Sequence, residues 1–295
     1  MNDAGIGVEI HKIKGIGHRI GEDPAGQVIF FRDSGFPDDP GRLADRGIGR
    51  EEFDRGVFTA RQRTDETQEA ERLARAAGVE CAVIERHRFP DDELHLRLPA
   101  NLPARVIIYR SLHRPNEKLL ELLLVVRSAG RGGARHLTLV APYLAYMRQD
   151  KRFHDGESVT SRSFARMVSS TFDKLLTVDP HLHRYPTLSA LYTIPTTTLH
   201  AAPLLADWIA EHVEKPLIVG PDEESEQWAG SIASRIGAPH VVLRKTRHGD
   251  RSVDIEVPDL SVWRDRTPVL VDDIASSGRT LAIAAHKLAE QGMRK

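Results

Sequence analysis

Val269-Leu270-Val271-Asp272-Asp273-Ile274-Ala275-Ser276-Ser277-Gly278-Arg279-Thr280 holds its residue types in an order that decides the fold. The opening Val-Leu-Val is fit for a buried strand. Two adjacent carboxylates follow, then a short loop of small hydroxyl residues, then the start of a helix. Backbone N–H groups at such a helix start, with the positive end of its dipole, favour a phosphate. Gly278 permits close backbone approach, Ser276, Ser277 and Thr280 can donate hydroxyl hydrogen bonds, and Arg279 lies among them. Asp272 and Asp273 would repel a phosphate and must face something else. Ionised carboxylates only accept hydrogen bonds, which suits vicinal sugar hydroxyls. Together the twelve residues specify a phosphorylated ribose. A bare strand-to-helix turn with a Ser or Thr cap is the competing reading.

Outward from this segment the chain alternates strands and helices. Before it lie a strand at 217–219, a helix over 224–236, a strand at 240–243 and an alternating run at 253–257. After it a helix runs from about 279 to 290. An earlier set repeats the rhythm, with a short strand at 57–59, a helix over 64–77 stopped by Gly78, and a strand at 106–109. A helix over 115–129 with Pro115 at its start, strands at 137–141 and 175–178, and a helix over 160–171 complete it. The expectation is an α/β protein of two similar domains, each a mainly parallel sheet flanked by helices, 57–195 and 196–295. Ligands of such sheets bind beyond the carboxyl ends of the strands.

Residues 1–56 hold 11 of the 22 glycines and no periodicity, so they read as an irregular extension. Gly15-Ile16-Gly17-His18-Arg19-Ile20-Gly21 matches no phosphate-loop template. In the 295-residue chain, 40% hydrophobic residues suffice for packed cores. A formal net charge of -1 excludes a binder that depends on neutralising nucleic-acid phosphates. Cys81 is the one cysteine, which excludes an intrachain disulfide and a multi-cysteine zinc site. No apolar run approaches the ~20 residues of a membrane helix and no signal peptide is visible, so the expected location is cytoplasmic, with no membrane partner.

Five further segments carry chemistry. Pro142-Tyr143-Leu144-Ala145-Tyr146-Met147-Arg148-Gln149-Asp150 follows a strand; its arginine can meet phosphates, and its glutamine can donate and accept toward a nucleotide. Phe89-Pro90-Asp91-Asp92-Glu93 by itself is an acidic turn. Thr177-Val178-Asp179-Pro180-His181-Leu182-His183 by itself is structural or zinc-like. Gly220-Pro221-Asp222 follows a strand. Arg244-Lys245-Thr246-Arg247-His248-Gly249-Asp250 is a basic stretch, by itself a solvated loop.

Taken with the 269–280 loop, these segments resemble the ribose-phosphate diphosphokinase family, whose fold is of the type I phosphoribosyltransferase kind. The resemblance spans about residues 57–295. It implies transfer of a diphosphoryl group from ATP to ribose 5-phosphate, with Mg²⁺ as cofactor. It implies ATP contacts at Phe89, Asp91, Glu93, Arg148, Gln149 and Asp150, the first three reaching a neighbouring subunit of a homo-oligomer. It implies ribose 5-phosphate contacts at Asp272, Asp273, Ser276, Ser277, Gly278, Arg279 and Thr280. His181 and Asp222 are implied as metal contacts, and Asp179 offers oxygen beside them. Lys245 and Arg247 match a catalytic Lys-x-Arg pair on a mobile loop.

Three departures stand out. Asp92 replaces a glycine, Glu223-Glu224-Ser225 replaces a glycine pair, and the sequence stops before the family's last strand and helix. The alternatives are a phosphoribosyltransferase using a nucleobase and a non-catalytic regulatory or scaffold subunit.

Overall fold

Arg105-Val106-Ile107-Ile108-Tyr109 shows how the first half is layered. In this strand Val106 and Ile108 pack into one hydrophobic layer, while Ile107 and Tyr109 pack into another. Side chains of a strand alternate between faces, so a continuous apolar run requires cover on both. The computed structural model describes residues 57–60, 65–248, 252–275 and 278–293. The extension 1–56, Ser276 and Ser277 lie outside the described residues.

The chain divides after Ala201 into two compact units. The first contains β1 (Val57–Ala60), α1 (Asp65–Ala77), β2 (Cys81–Arg88), β3 (Leu94–Arg97), β4 (Arg105–Tyr109) and α2 (Pro115–Arg131). It continues with β5 (His136–Ala141), α3 (Thr160–Thr171), β6 (Lys174–Val178) and β7 (Thr196–Leu199). Its strands form one seven-stranded sheet in the order β3-β2-β1-β4-β5-β6-β7. All neighbours are parallel except the β2–β3 hairpin. Helices α2 and α3 cover one face through Leu122, Val125, Phe164 and Val168, and α1 covers the other through Ala70, Leu73 and Ala74. Each fully buried aliphatic side chain in these layers contributes about 1.5–3 kcal/mol.

The second unit contains α4 (Ala202–His212), β8 (Pro216–Gly220), α5 (Glu226–Ile236), β9 (His240–Val242), β10 (Arg244–His248), β11 (Ser252–Glu256), β12 (Thr267–Leu270) and α6 (Arg279–Glu290). A parallel sheet β12-β8-β9 is packed by α4 and α5 on one face and by α6 on the other. Strands β10 and β11 form a separate antiparallel ribbon. Gly237, at φ +66°, ends α5 in a left-handed conformation.

Two expectations shift. The strand Thr196–Leu199 pairs in parallel with β6, so the division falls after Ala201 and not at 195. The basic stretch 244–248 is a paired strand, not a loop: Arg244 to His248 register against Glu256 to Ser252. The alternating run read at 253–257 supplies its partner.

Candidate active site

The ends of β8 and β12 lie side by side, with Leu270 paired to Val219. Asp222 follows the first strand and Asp272 the second. Asp272 is half-buried. Burial, then the charges of Asp273 and Asp222, push its carboxyl up to about 7. One Asp272 oxygen accepts a hydrogen bond from the Asp273 amide at 3.0 Å. These three acids therefore share one small region at the carboxyl ends of the sheet. Gly278 caps α6 at φ +70°, a left-handed position, and a Cβ there would meet open space. Glycine is required by the backbone conformation, not by crowding. Arg279 and Thr280 form the first turn of α6, Arg279 exposed and Thr280 half-buried.

The Glu223-Glu224-Ser225 departure has a structural explanation. These residues make a single 3₁₀ turn in which Ser225 is fully buried. The Ser225 hydroxyl donates to the Asp222 carbonyl and accepts from the Asp222 amide at 3.4 Å. A Cβ on Gly220 would lie 2.3 Å from the same hydroxyl. Thus serine, seated against a glycine, fixes the backbone that carries Asp222.

Lys245 and Arg247 belong to the same unit. Their backbones pair with Ile255 and Val253 in the ribbon, and their side chains lie outside the described part of the structure.

In the first unit, the expected nucleotide residues fall on two segments. Phe89 to Glu93 forms the turn of the β2–β3 hairpin, closed by Phe89 N–H to Glu93 O at 2.9 Å and Asp92 N–H to Phe89 O at 3.0 Å. Asp92 sits at φ +70°, the left-handed conformation a glycine would take. Arg88 holds its carboxylate at 3.0 Å. Asp91 accepts from the Glu93 amide at 3.3 Å, and Phe89 stands 44% exposed.

The second segment, 142–150, follows β5. Tyr146 has φ +61°, unusual for an aromatic residue. Its ring lies 5.4 Å from that of Phe164, and its hydroxyl bonds to Asn116. Beyond this inversion Met147 is buried and Arg148 is exposed. Gln149 accepts from the Thr160 hydroxyl. Asp150 turns inward and pairs with Arg184 at 2.7 Å; it holds the loop.

Both segments meet at the first turn of α2. Arg88, at the hairpin base, reaches Glu117 at 2.6 Å, next to Asn116. The sequence reading missed this junction, because it depends on contacts 29 and 30 residues apart.

Of the expected metal residues in this unit, Asp179 is engaged at both oxygens. One meets His200 Nδ1 at 2.8 Å, and the other accepts from the Ala201 amide at 2.9 Å. His181 stacks on His183 with ring centres 6.5 Å apart. Among the described residues, no three His, Cys, Asp or Glu side chains are placed to hold an ion by themselves.

Sequence reasoning also missed a buried charge network at the end of β4. Arg110 reaches Glu66 and Glu121, each at 2.7 Å, and Lys118 reaches Glu66 at 2.7 Å and the Ser111 carbonyl at 2.6 Å. Burial, then the Lys118 charge, hold His113 below the ordinary histidine range. A charged residue directly after the apolar run Val106–Tyr109 was the available signal.

Two α/β units, one carrying acids and a glycine-capped helix at its strand ends, define a transferase of the phosphoribosyl-handling class. A family model for the N-terminal domain of ribose phosphate pyrophosphokinase matches residues 61–171, and one for the phosphoribosyl transferase domain matches 188–295. Ribose-phosphate pyrophosphokinase of Methanopyrus kandleri is 38% identical over 224 residues, covering 75% of this chain and 76% of the relative. That of Methanobrevibacter smithii is 32% identical over 76% of this chain and 79% of its own length. The crystal structure of phosphoribosylpyrophosphate synthetase from Mycobacterium smegmatis superposes with a TM-score of 0.70 at 26% identity, over 82% of this chain and 78% of that one. The chain belongs to the ribose-phosphate pyrophosphokinase family. No helix among the described residues is long and apolar enough to cross a membrane.

Proposed function

We propose that this chain transfers the β,γ-diphosphoryl group of ATP to the anomeric hydroxyl of ribose 5-phosphate. The hydroxyl oxygen bonds to the β-phosphorus, the bond from that phosphorus to the α,β-bridging oxygen breaks, and AMP leaves with that oxygen. The hydroxyl proton passes to solvent or to a phosphate oxygen. The single observation that carries this reading is the match of both halves, 61–171 and 188–295. A nucleobase phosphoribosyltransferase would need only the second.

Asp272 and Asp273 accept from the ribose hydroxyls, while the start of α6 with Gly278, Arg279, Thr280 and the Ser276-Ser277 pair receives the 5-phosphate. Arg148 and Gln149, with Phe89, Asp91 and Glu93, hold ATP; Asp150 keeps their loop in place. Lys245 and Arg247 stabilise charge on the transferred group.

Mg²⁺ takes oxygen ligands and usually combines one or two carboxylates with substrate phosphates. Asp222, close enough to Asp272 to raise its proton affinity, fits that donor set. Asp179 does not, since both its oxygens are engaged, and imidazole makes His181 a poor first choice. When bound, the ion neutralises charge on the phosphates. A cytoplasmic setting and a homo-oligomeric state belong to the same reading.

The test mixes protein, Mg²⁺, ATP and ribose 5-phosphate and separates the nucleotides. AMP together with a sugar diphosphate by phosphorus NMR is expected. ADP would make the protein an ordinary kinase and end the proposal, and no turnover at all would favour a regulatory subunit.

A further inference from the structure

We infer that Glu66 is a resident carboxylate filling a phosphate seat at the ends of β1 and β4, and that its presence keeps the first unit from taking a phosphate or a phosphate monoester there. The comparison with the second unit rests on the function proposed above; the seat itself does not.

Both units have the same turning point. In the first, β1 lies between β2 and β4. The chain leaves β1 through α1 on one face of the sheet and leaves β4 through α2 on the other. In the second, β8 lies between β9 and β12, and the chain leaves these two strands, β8 and β12, through α5 and α6 on opposite faces. Ligands of open α/β sheets settle where connections diverge in this way, beyond the carboxyl ends of the two strands. In the second unit that corner carries Asp222, Asp272, Asp273 and the start of α6. In the first it carries Arg110 directly after β4 and Lys118 on α2.

An arginine and a lysine converging on one point suit an oxyanion. These two already hold one. Glu66, the second residue of α1, is 7% exposed. One of its oxygens accepts from Arg110 at 2.7 Å and the other from Lys118 at 2.7 Å. Its place in the first turn sets the carboxylate near the positive end of the α1 dipole, where a phosphate would also be favoured. Lys118 bonds further to the Ser111 carbonyl at 2.6 Å, and its amine lies 3.2 Å from each ring nitrogen of His113. Glu121 accepts from the other arm of Arg110. Two cations are thus balanced by two carboxylates, and an arriving phosphate meets no net positive charge. The Arg110 Nε is buried without a hydrogen-bond partner, so the guanidinium keeps a donor beyond those the two glutamates use. Burial pushes Lys118 below the ordinary lysine range, and its hydrogen bond to Glu66 opposes that shift. The charge on this amine therefore depends on the anion beside it. Without Glu66, the seat holds one buried cation in excess and calls for another anion.

The experiment is equilibrium dialysis of the full chain against labelled inorganic phosphate. Glu66→Ala should bind one phosphate per chain more than wild type. Any phosphate held at the start of α6 is common to both proteins and cancels in the difference. Adding Lys118→Ala to Glu66→Ala should return binding to the wild-type level, and Glu66→Asp, which keeps a carboxylate, should never leave it. If Glu66→Ala fails to fold, phosphate should restore its circular dichroism spectrum by binding the native state. No extra phosphate, an extra phosphate that survives the loss of Lys118 or appears with Glu66→Asp, or an unfolded variant that phosphate does not restore overturns the seat. AMP formation by the wild type reports on the reaction separately, so either reading can fail without the other.

Discussion

The two units treat their acidic residues in opposite ways. At the strand ends of the first, Glu66 and Glu121 meet Arg110, Asp150 meets Arg184, and Asp179 meets His200 and a backbone amide. Those charges are spent on holding elements together. At the strand ends of the second, burial and the charges of Asp273 and Asp222 raise the proton affinity of Asp272. An arrangement that resists its own charge gains from an arriving cation or from donor hydroxyls. The comparison teaches that the first unit ties its acids to cations and amides, while the second crowds acids together, the arrangement the proposed ribose and metal roles call for.

The strongest way to break that contrast is Arg110→Ala. It takes the cation from buried Glu121 and leaves Glu66 with Lys118 alone, so the first unit should lose about 3–5 kcal/mol by denaturant unfolding. A loss under 1 kcal/mol would show the network to be incidental.

Next in size is Lys245→Ala. Removing one preorganised donor typically costs about 10²–10³ in kcat. Binding of ribose 5-phosphate, followed by calorimetry, should stay near wild type, and an equal loss of both would remove the catalytic assignment.

Third is Asp272→Asn, tested on metal-free protein. The folded carboxyl, held near 7, keeps a proton that the unfolded chain releases near the ordinary aspartate value. Between about pH 4 and 7 the folded state binds more protons, so stability falls as pH rises. The variant should erase that slope and be more stable at pH 8 by about 2–3 kcal/mol, while its KM for ribose 5-phosphate rises. Indistinguishable pH profiles would mean that the acids do not crowd.

The smallest effect is expected for Tyr146→Phe. It removes one hydroxyl contact to Asn116, about 1 kcal/mol, and should raise KM for ATP more than it lowers kcat.

Much of this was readable in advance where chemistry is local. Val269 to Thr280 declared a strand, an acidic pair and a helix start because each rests on neighbouring residues. Asp92, standing in place of a glycine, takes φ +70°, a conformation Asp tolerates better than most residues. What was not readable rests on distant partners. Strand β7 (Thr196–Leu199) is polar and lies at the sheet edge, so only its pairing with β6 declares it. Strand β2 ends in the wholly polar Glu85-Arg86-His87-Arg88, and β3 is the short alternating Leu94-His95-Leu96-Arg97, so only their antiparallel pairing declares the hairpin. The basic stretch 244–248 looked like a loop because only its pairing with Ser252–Glu256 declares it a strand. Asp150 and Asp179 looked like ligands until Arg184 and His200 came into range.

The close seating of Ser225 on Gly220 carries a practical consequence. With only 2.3 Å between that hydroxyl and any Cβ at position 220, the two sites are epistatic. Neither can be exchanged for a bulkier residue unless the other changes with it. A chimera borrowing this turn from a glycine-paired relative must therefore take 220–225 as one block.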